Sequence, residues 1–194
     1  YLATGKSTFL DICTKSADLL VKDFGWEKEE NYPGHQEIEV GLVKLYRVTN
    51  KPEYLELAKF FLDVREGGEE YSQSHMKVTE QDEAVGHAVR ANYMYTGMAD
   101  VAALTGDQEY IEAIDRIWDN VVSKKLYITG GVGASGHGEA YGDNYELPNM
   151  SAYCETCAAI ANVFWNHRMF LLHGEAKYLD VLERTLYNGV ISGL

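Results

Sequence analysis

One turn recurs three times along this chain and constrains the fold more than any other feature. It reads Leu45-Tyr46-Arg47-Val48-Thr49-Asn50-Lys51-Pro52-Glu53-Tyr54-Leu55, then Ala103-Leu104-Thr105-Gly106-Asp107-Gln108-Glu109-Tyr110-Ile111, then Leu171-Leu172-His173-Gly174-Glu175-Ala176-Lys177-Tyr178-Leu179. Each copy has an apolar helix end, an Asn or Gly suited to a left-handed cap, a polar turn and a Tyr-aliphatic helix start. The tyrosines lie 56 and 68 residues apart (110 − 54 and 178 − 110), a loose period with insertions between units. Such spacing fits stacked helix pairs.

The helical period supports this. Tyr54, Leu57, Ala58, Phe61 and Leu62 lie at i, i+3, i+4, i+7 and i+8, and Tyr110 to Val121 and Leu179 to Val190 carry similar stripes. The stretches before each turn, Ala84 to Ala103 and Ala158 to Phe170 among them, are richer in small residues and apolar on most faces, as buried helices are. Each unit therefore pairs a buried inner helix with an amphipathic outer one. A further amphipathic helix spans about Ser7 to Phe24, with Cys13 expected to be a small buried hydrophobe on it. The reading is all-α: seven helices, roughly half of a closed ring of hairpins. Lys125 to Gly131 is the one candidate for a short extended piece.

The net charge of −13 opposes binding to nucleic acid or an anionic membrane, whereas a neutral sugar meets no such penalty. Fourteen tyrosines and three tryptophans suit a pocket that stacks on sugar rings, although most belong in a core. No apolar run approaches the roughly 18 residues of a membrane helix. Three cysteines are too few, and an odd number, for a disulfide framework. The first residues do not form a signal peptide, so the expected location is cytoplasmic. Both ends read like the middle of a protein, and the chain is expected to be a fragment.

Three inner helices open with chemically similar residues: His35-Gln36-Glu37-Ile38-Glu39, Gln81-Asp82-Glu83-Ala84-Val85-Gly86-His87 and Tyr153-Cys154-Glu155-Thr156-Cys157. Helices running the same way would gather these N-termini at one end of the ring. The helix dipole accounts for acidic first turns such as Glu37, Glu39, Asp82 and Glu83. It does not account for His35, His87, Cys154 and Cys157.

Cys154 and Cys157 form a CxxC, but the βαβ context of a thioredoxin-like redox pair is missing. A zinc site needs four ligands, and Glu155 adds one carboxylate to the two thiols. Redox, metal and structural readings all remain open from these residues alone. His75, His137, His167 and His173 need no role beyond core or surface. Glu139 sits among Gly131, Gly133, Gly136, Gly138 and Gly142, without a phosphate-loop pattern. A flexible loop bringing a proton-transferring carboxylate to a ligand is the better reading.

Taken together, Pro33-Gly34-His35-Gln36-Glu37-Ile38-Glu39, Ala84-Val85-Gly86-His87-Ala88-Val89-Arg90, Ile128-Thr129-Gly130-Gly131-Val132-Gly133, Gly138-Glu139-Ala140-Tyr141, Leu147-Pro148-Asn149 and Tyr153-Cys154-Glu155-Thr156-Cys157-Ala158 make the chain resemble glycoside hydrolase family 127, the β-L-arabinofuranosidases. The resemblance runs from end to end. It implies an (α/α)6 barrel, with about half to two-thirds of the ring in this chain and the rest, with any β-sandwich domains, outside it. It implies retaining hydrolysis of a β-L-arabinofuranosyl linkage in a glycoside or oligosaccharide. The implied nucleophile is a cysteine thiolate held on Zn2+ by Glu-x-Cys and an adjacent cysteine pair. Glu155 and Cys157 match the Glu-x-Cys, Glu139 the acid/base, and His35 and His87 histidines of the sugar pocket. Cys154 matches no known role. The 194 residues contain no Cys-Cys, so the nucleophile and two zinc ligands are expected beyond Leu194, and the isolated chain is expected to be inactive. Two alternatives stand beside this one: a helical-barrel glycosidase of other sugar specificity, and a non-catalytic sugar-binding module.

Overall fold

A computed structural model describes residues 1–193. Among them are seven α-helices and no strand: α1 (Thr8–Asp23), α2 (Ile38–Thr49), α3 (Pro52–Asp63), α4 (Ala88–Thr105), α5 (Gln108–Asn120), α6 (Thr156–His173) and α7 (Ala176–Thr185). The inner helices α2, α4 and α6 pack side by side, and each is followed by its outer partner α3, α5 or α7, with α1 beside α2 and α3. This is an arc of an (α/α)6 barrel.

The recurrent turn works as its residues dictate. Asn50, Gly106 and Gly174 cap α2, α4 and α6 with φ of 56°, 70° and 73°, and their N–H groups bond to Tyr46, Ala102 and Phe170 carbonyls. The recurrent tyrosine ties each outer helix to the one before it. Tyr54 of α3 donates to Asp18 of α1 (2.5 Å), and Tyr110 of α5 donates to Asp63 of α3 (2.6 Å). Tyr178 of α7 packs edge-on to Trp118 of α5, with 4.7 Å between ring centres. All three are buried.

Small side chains let α4 and α6 approach closely: Ala88, Ala91, Ala99 and Ala102 on one, Ala158 and Ala161 on the other, around Tyr95 and Trp165. Burying a side chain such as Phe61 contributes about 1.5–3 kcal/mol. Polar groups are buried too. Glu39 and Arg65, both fully enclosed, lie 3.7 Å apart. Burial pushes the Glu39 carboxyl above its ordinary range, partly offset by Arg65.

Three expectations need correction. Helix α4 begins at Ala88, not Ala84, because Gly86 takes φ +69° and breaks the helical run. Lys125 to Gly131 is not extended: a wide helical turn covers Val121–Lys125, and Tyr127 and Gly131 then close a tight turn. Cys13 is exposed, because the α1 stripe that carries it, with Phe9 and Ile12, is uncovered among the described residues.

Candidate functional site

The segments before the inner helices converge through a web of side-chain amides. Gln36 donates through Nε2 to the Ser72 carbonyl and to Oε1 of Gln73, both at 2.7 Å. Gln73 directs its own Nε2 at the carbonyls of Val85 (2.9 Å) and His87 (3.3 Å). Gln81 donates to the Gln73 carbonyl at 2.8 Å. All three glutamines are fully buried, and together they lock the approach to α2 onto the approach to α4. Gly86 is required here. A Cβ at this position would stand 1.9 Å from the Glu70 carbonyl oxygen.

His87 is the N-cap of α4. Its Nδ1 accepts from the Arg90 N–H at 3.4 Å, so the neutral ring carries its proton on Nε2. That nitrogen lies 2.8 Å from Oε2 of Glu139. His35 makes the opposite choice: its Nδ1 lies 2.8 Å from the Gln36 carbonyl and must donate, which leaves Nε2 as an acceptor. The His35 ring stands 6.3 Å from His87 and 6.1 Å from Tyr93.

Glu139 does not sit in a loose loop. Ser135 and Ala140 exchange two backbone bonds of 3.0 Å, and the Tyr141 N–H donates to Gly86. The Tyr141 hydroxyl donates to Asn92 at 3.0 Å. Buried Lys125 staples the same region, donating to the carbonyls of Ala84 (2.8 Å) and Gly142 (2.9 Å). Glu139 itself is left-handed, with φ of 51°, a strained conformation for a side chain of this kind. Its carboxylate is 42% exposed and accepts a second bond, 3.0 Å from the Tyr153 hydroxyl to Oε1. That bond is the main cause holding the Tyr153 phenol above its ordinary pKa.

Glu155 occupies the N-cap position of α6 without a side-chain capping bond, and Cys157 lies in the first turn. The Glu155 carboxylate is the leading cause raising the Cys157 thiol above its ordinary value, ahead of burial and Glu139. Oε2 of Glu155 is buried with no hydrogen-bond partner. Cys154 lies outside the helix at φ 42° and has other surroundings, near Gly131 and Tyr127. Burial raises its thiol pKa. All three cysteines are free. Among the described residues no group of three or more metal-binding side chains is assembled; Glu155 and Cys157 are two.

The structure thus gathers His35, His87, Glu139, Glu155 and Cys157 around the starts of the inner helices. Sequence reasoning gave no role to Tyr153, Lys125 or Gln73. Tyr153 alone carried a signal, as the residue opening the Cys-Glu-Thr-Cys segment.

Residues 1–194 match a family described as Beta-L-arabinofuranosidase, GH127 catalytic domain. The non-reducing end β-L-arabinofuranosidase of Bifidobacterium longum subsp. longum is 36% identical over 217 residues, which cover 98% of this chain and 33% of that protein. The GH127 β-arabinofuranosidase BT3674 is 64% identical with a TM-score of 0.96, over 100% of this chain and 31% of that one. A GH127 β-L-arabinofuranosidase from Geobacillus stearothermophilus T6 is 47% identical, also with a TM-score of 0.96, over 99% and 34%. The chain spans about a third of the length of these relatives. With its family matched from first residue to last, and its fold superposing on solved members, the chain belongs to the GH127 β-L-arabinofuranosidase catalytic-domain family.

Proposed function

We propose that the protein carrying this chain is a retaining glycoside hydrolase that releases β-L-arabinofuranosyl units, with Glu139 as its acid/base. The observation that carries this reading is the setting of Glu139. Its carboxylate is partly exposed and held from both sides, by His87, whose ring stands 6.3 Å from that of His35, and by Tyr153, which also feels the charge of Glu155. A carboxyl group fixed this way gives its proton to a leaving glycosidic oxygen, then takes one from the incoming water. His35, with Nε2 free to accept, binds a sugar hydroxyl, while His87, with both ring nitrogens engaged, borders the sugar pocket behind Glu139. The buried amide web holds the backbone that carries them, Gln73 bonding to the His87 carbonyl, while the His35 ring is held by the Gln36 carbonyl.

Glu155 and Cys157 fit a zinc ion. The orphaned Oε2 of Glu155 is a buried acceptor that a cation would satisfy, and carboxylate beside sulfur is a donor set zinc accepts. When bound, the metal supplies charge that keeps a coordinated thiol deprotonated. The nucleophilic thiolate implied by the resemblance lies outside this chain, where two further ligands are also expected.

The test uses the protein at its relatives' full length and an aryl β-L-arabinofuranoside. Proton NMR of the first-formed sugar should show β-L-arabinofuranose. An α product would replace retention with inversion. Binding without turnover would favour the sugar-binding module.

A further inference from the structure

We propose that Tyr153 is a positioning residue for Glu139: it selects Oε1 as the oxygen that carries the catalytic proton, and its hydroxyl borders the place of the leaving oxygen. The inference rests on the acid/base reading of Glu139 and adds to it the oxygen used and the side from which the leaving group comes.

Each oxygen of Glu139 faces a different kind of partner. Oε2 faces Nε2 of His87 at 2.8 Å. His87 is buried, caps α4, and commits Nδ1 to the Arg90 N–H. Its Nε2 therefore has a proton to give and no lone pair to receive one. A proton placed on Oε2 toward His87 would meet another proton. Oε1 faces the Tyr153 hydroxyl at 3.0 Å. A phenol both donates and accepts, so it serves Oε1 in either state. It donates when Glu139 is a carboxylate and accepts when Oε1 carries the proton.

The two partners also differ in access. Tyr153 is 41% exposed, whereas His87 is enclosed. A substrate arriving from solvent meets Glu139 on the Tyr153 side. In the first chemical step the enzyme's thiolate bonds to the anomeric carbon as the glycosidic C–O bond breaks. The electron pair of that bond goes to the leaving oxygen, which takes the proton from Oε1. Glu139 is left as a carboxylate and accepts again from Tyr153. Without the phenol, the protonated Oε1 can turn toward other acceptors, and proton delivery loses its direction.

The experiment is a leaving-group series on the full-length protein: aryl β-L-arabinofuranosides from strongly to weakly activated, measured as kcat/KM for wild type, Tyr153→Phe and Glu139→Gln. A thermal melt of each variant establishes that it is folded. Tyr153→Phe is expected to lose about tenfold on the most basic leaving group, a fraction of the 10² to 10⁴ that general acid catalysis supplies. On the most activated one it should stay within about twofold, so its dependence on leaving-group basicity steepens. An equal loss across the series, or no loss anywhere, would overturn the role of Tyr153. If Glu139→Gln steepens the dependence while Tyr153→Phe does not, only this inference fails. If Glu139→Gln is itself flat, the acid/base reading has failed and this inference with it.

Discussion

His87 and Glu139, 52 residues apart in sequence, meet through a 2.8 Å hydrogen bond from an enclosed imidazole to a partly exposed carboxylate. The imidazole cannot turn away. Its other nitrogen caps α4, and its backbone N–H bonds to the Tyr71 carbonyl. Glu139 is thus held by a donor whose own geometry is set by helix capping.

That relationship predicts the effect of removing the donor. His87→Ala should lower kcat/KM by roughly 10- to 100-fold, since a hydrogen bond to a charged group contributes about 1.5–3 kcal/mol. Steady-state kinetics on an aryl β-L-arabinofuranoside checks this. A variant that melts like wild type and keeps its rate within twofold would remove His87 from the machinery.

The metal reading predicts coupled losses. Cys157→Ser should lower zinc content and activity together, because sulfur supplies much of the affinity for zinc. Metal analysis of the purified full-length variant is the check. Full zinc occupancy would take Cys157 out of the ligand set.

Gly86→Ala should destabilise the chain by more than about 1 kcal/mol, because a left-handed backbone at a non-glycine residue alone costs about 1–2 kcal/mol. The added methyl would also meet the Glu70 carbonyl at 1.9 Å, so the loop must move. Chemical denaturation measures the change. Unaltered stability would mean that the loop carrying His87 is not held as tightly as its bonds indicate.

The enclosed Glu39–Arg65 pair predicts a non-additive pattern. Arg65→Met alone should cost about 3–5 kcal/mol by leaving Glu39 buried without a counter-charge, while Glu39→Leu with Arg65→Met should cost clearly less. A double-mutant cycle by urea unfolding tests it. Strictly additive losses would mean that the two charges do not interact.

The hairpin arc was legible in the sequence because its signals are local. Left-handed caps need Asn or Gly, and the stripe of each outer helix repeats every three to four residues. His35, His87, Glu139, Glu155 and Cys157 were named from the starts of inner helices and from motif resemblance. What joins them was not legible. Gln36 and Gln73 lie 37 residues apart, and Lys125 and Ala84 lie 41 apart. A long-range side-chain hydrogen bond leaves no period in the sequence. The tethered loop of Glu139 was misread for that reason: its glycines imply freedom, while its bonds come from Gly86, Asn92 and Lys125. Cys13 was misplaced because an apolar stripe does not say what covers it.

The central claim is that Glu139 is the acid/base of a retaining hydrolase, and chemical rescue of Glu139→Ala in the full-length protein tests it most directly. On a highly activated aryl β-L-arabinofuranoside, whose leaving group needs little protonation, the variant should form its glycosyl-enzyme readily and then stall, because no base activates water. Azide needs no base. Its addition should raise turnover by at least tenfold, about 1.4 kcal/mol in barrier, and NMR should identify the product as β-L-arabinofuranosyl azide. A variant that turns over like wild type, or that azide leaves unchanged, would contradict the assignment.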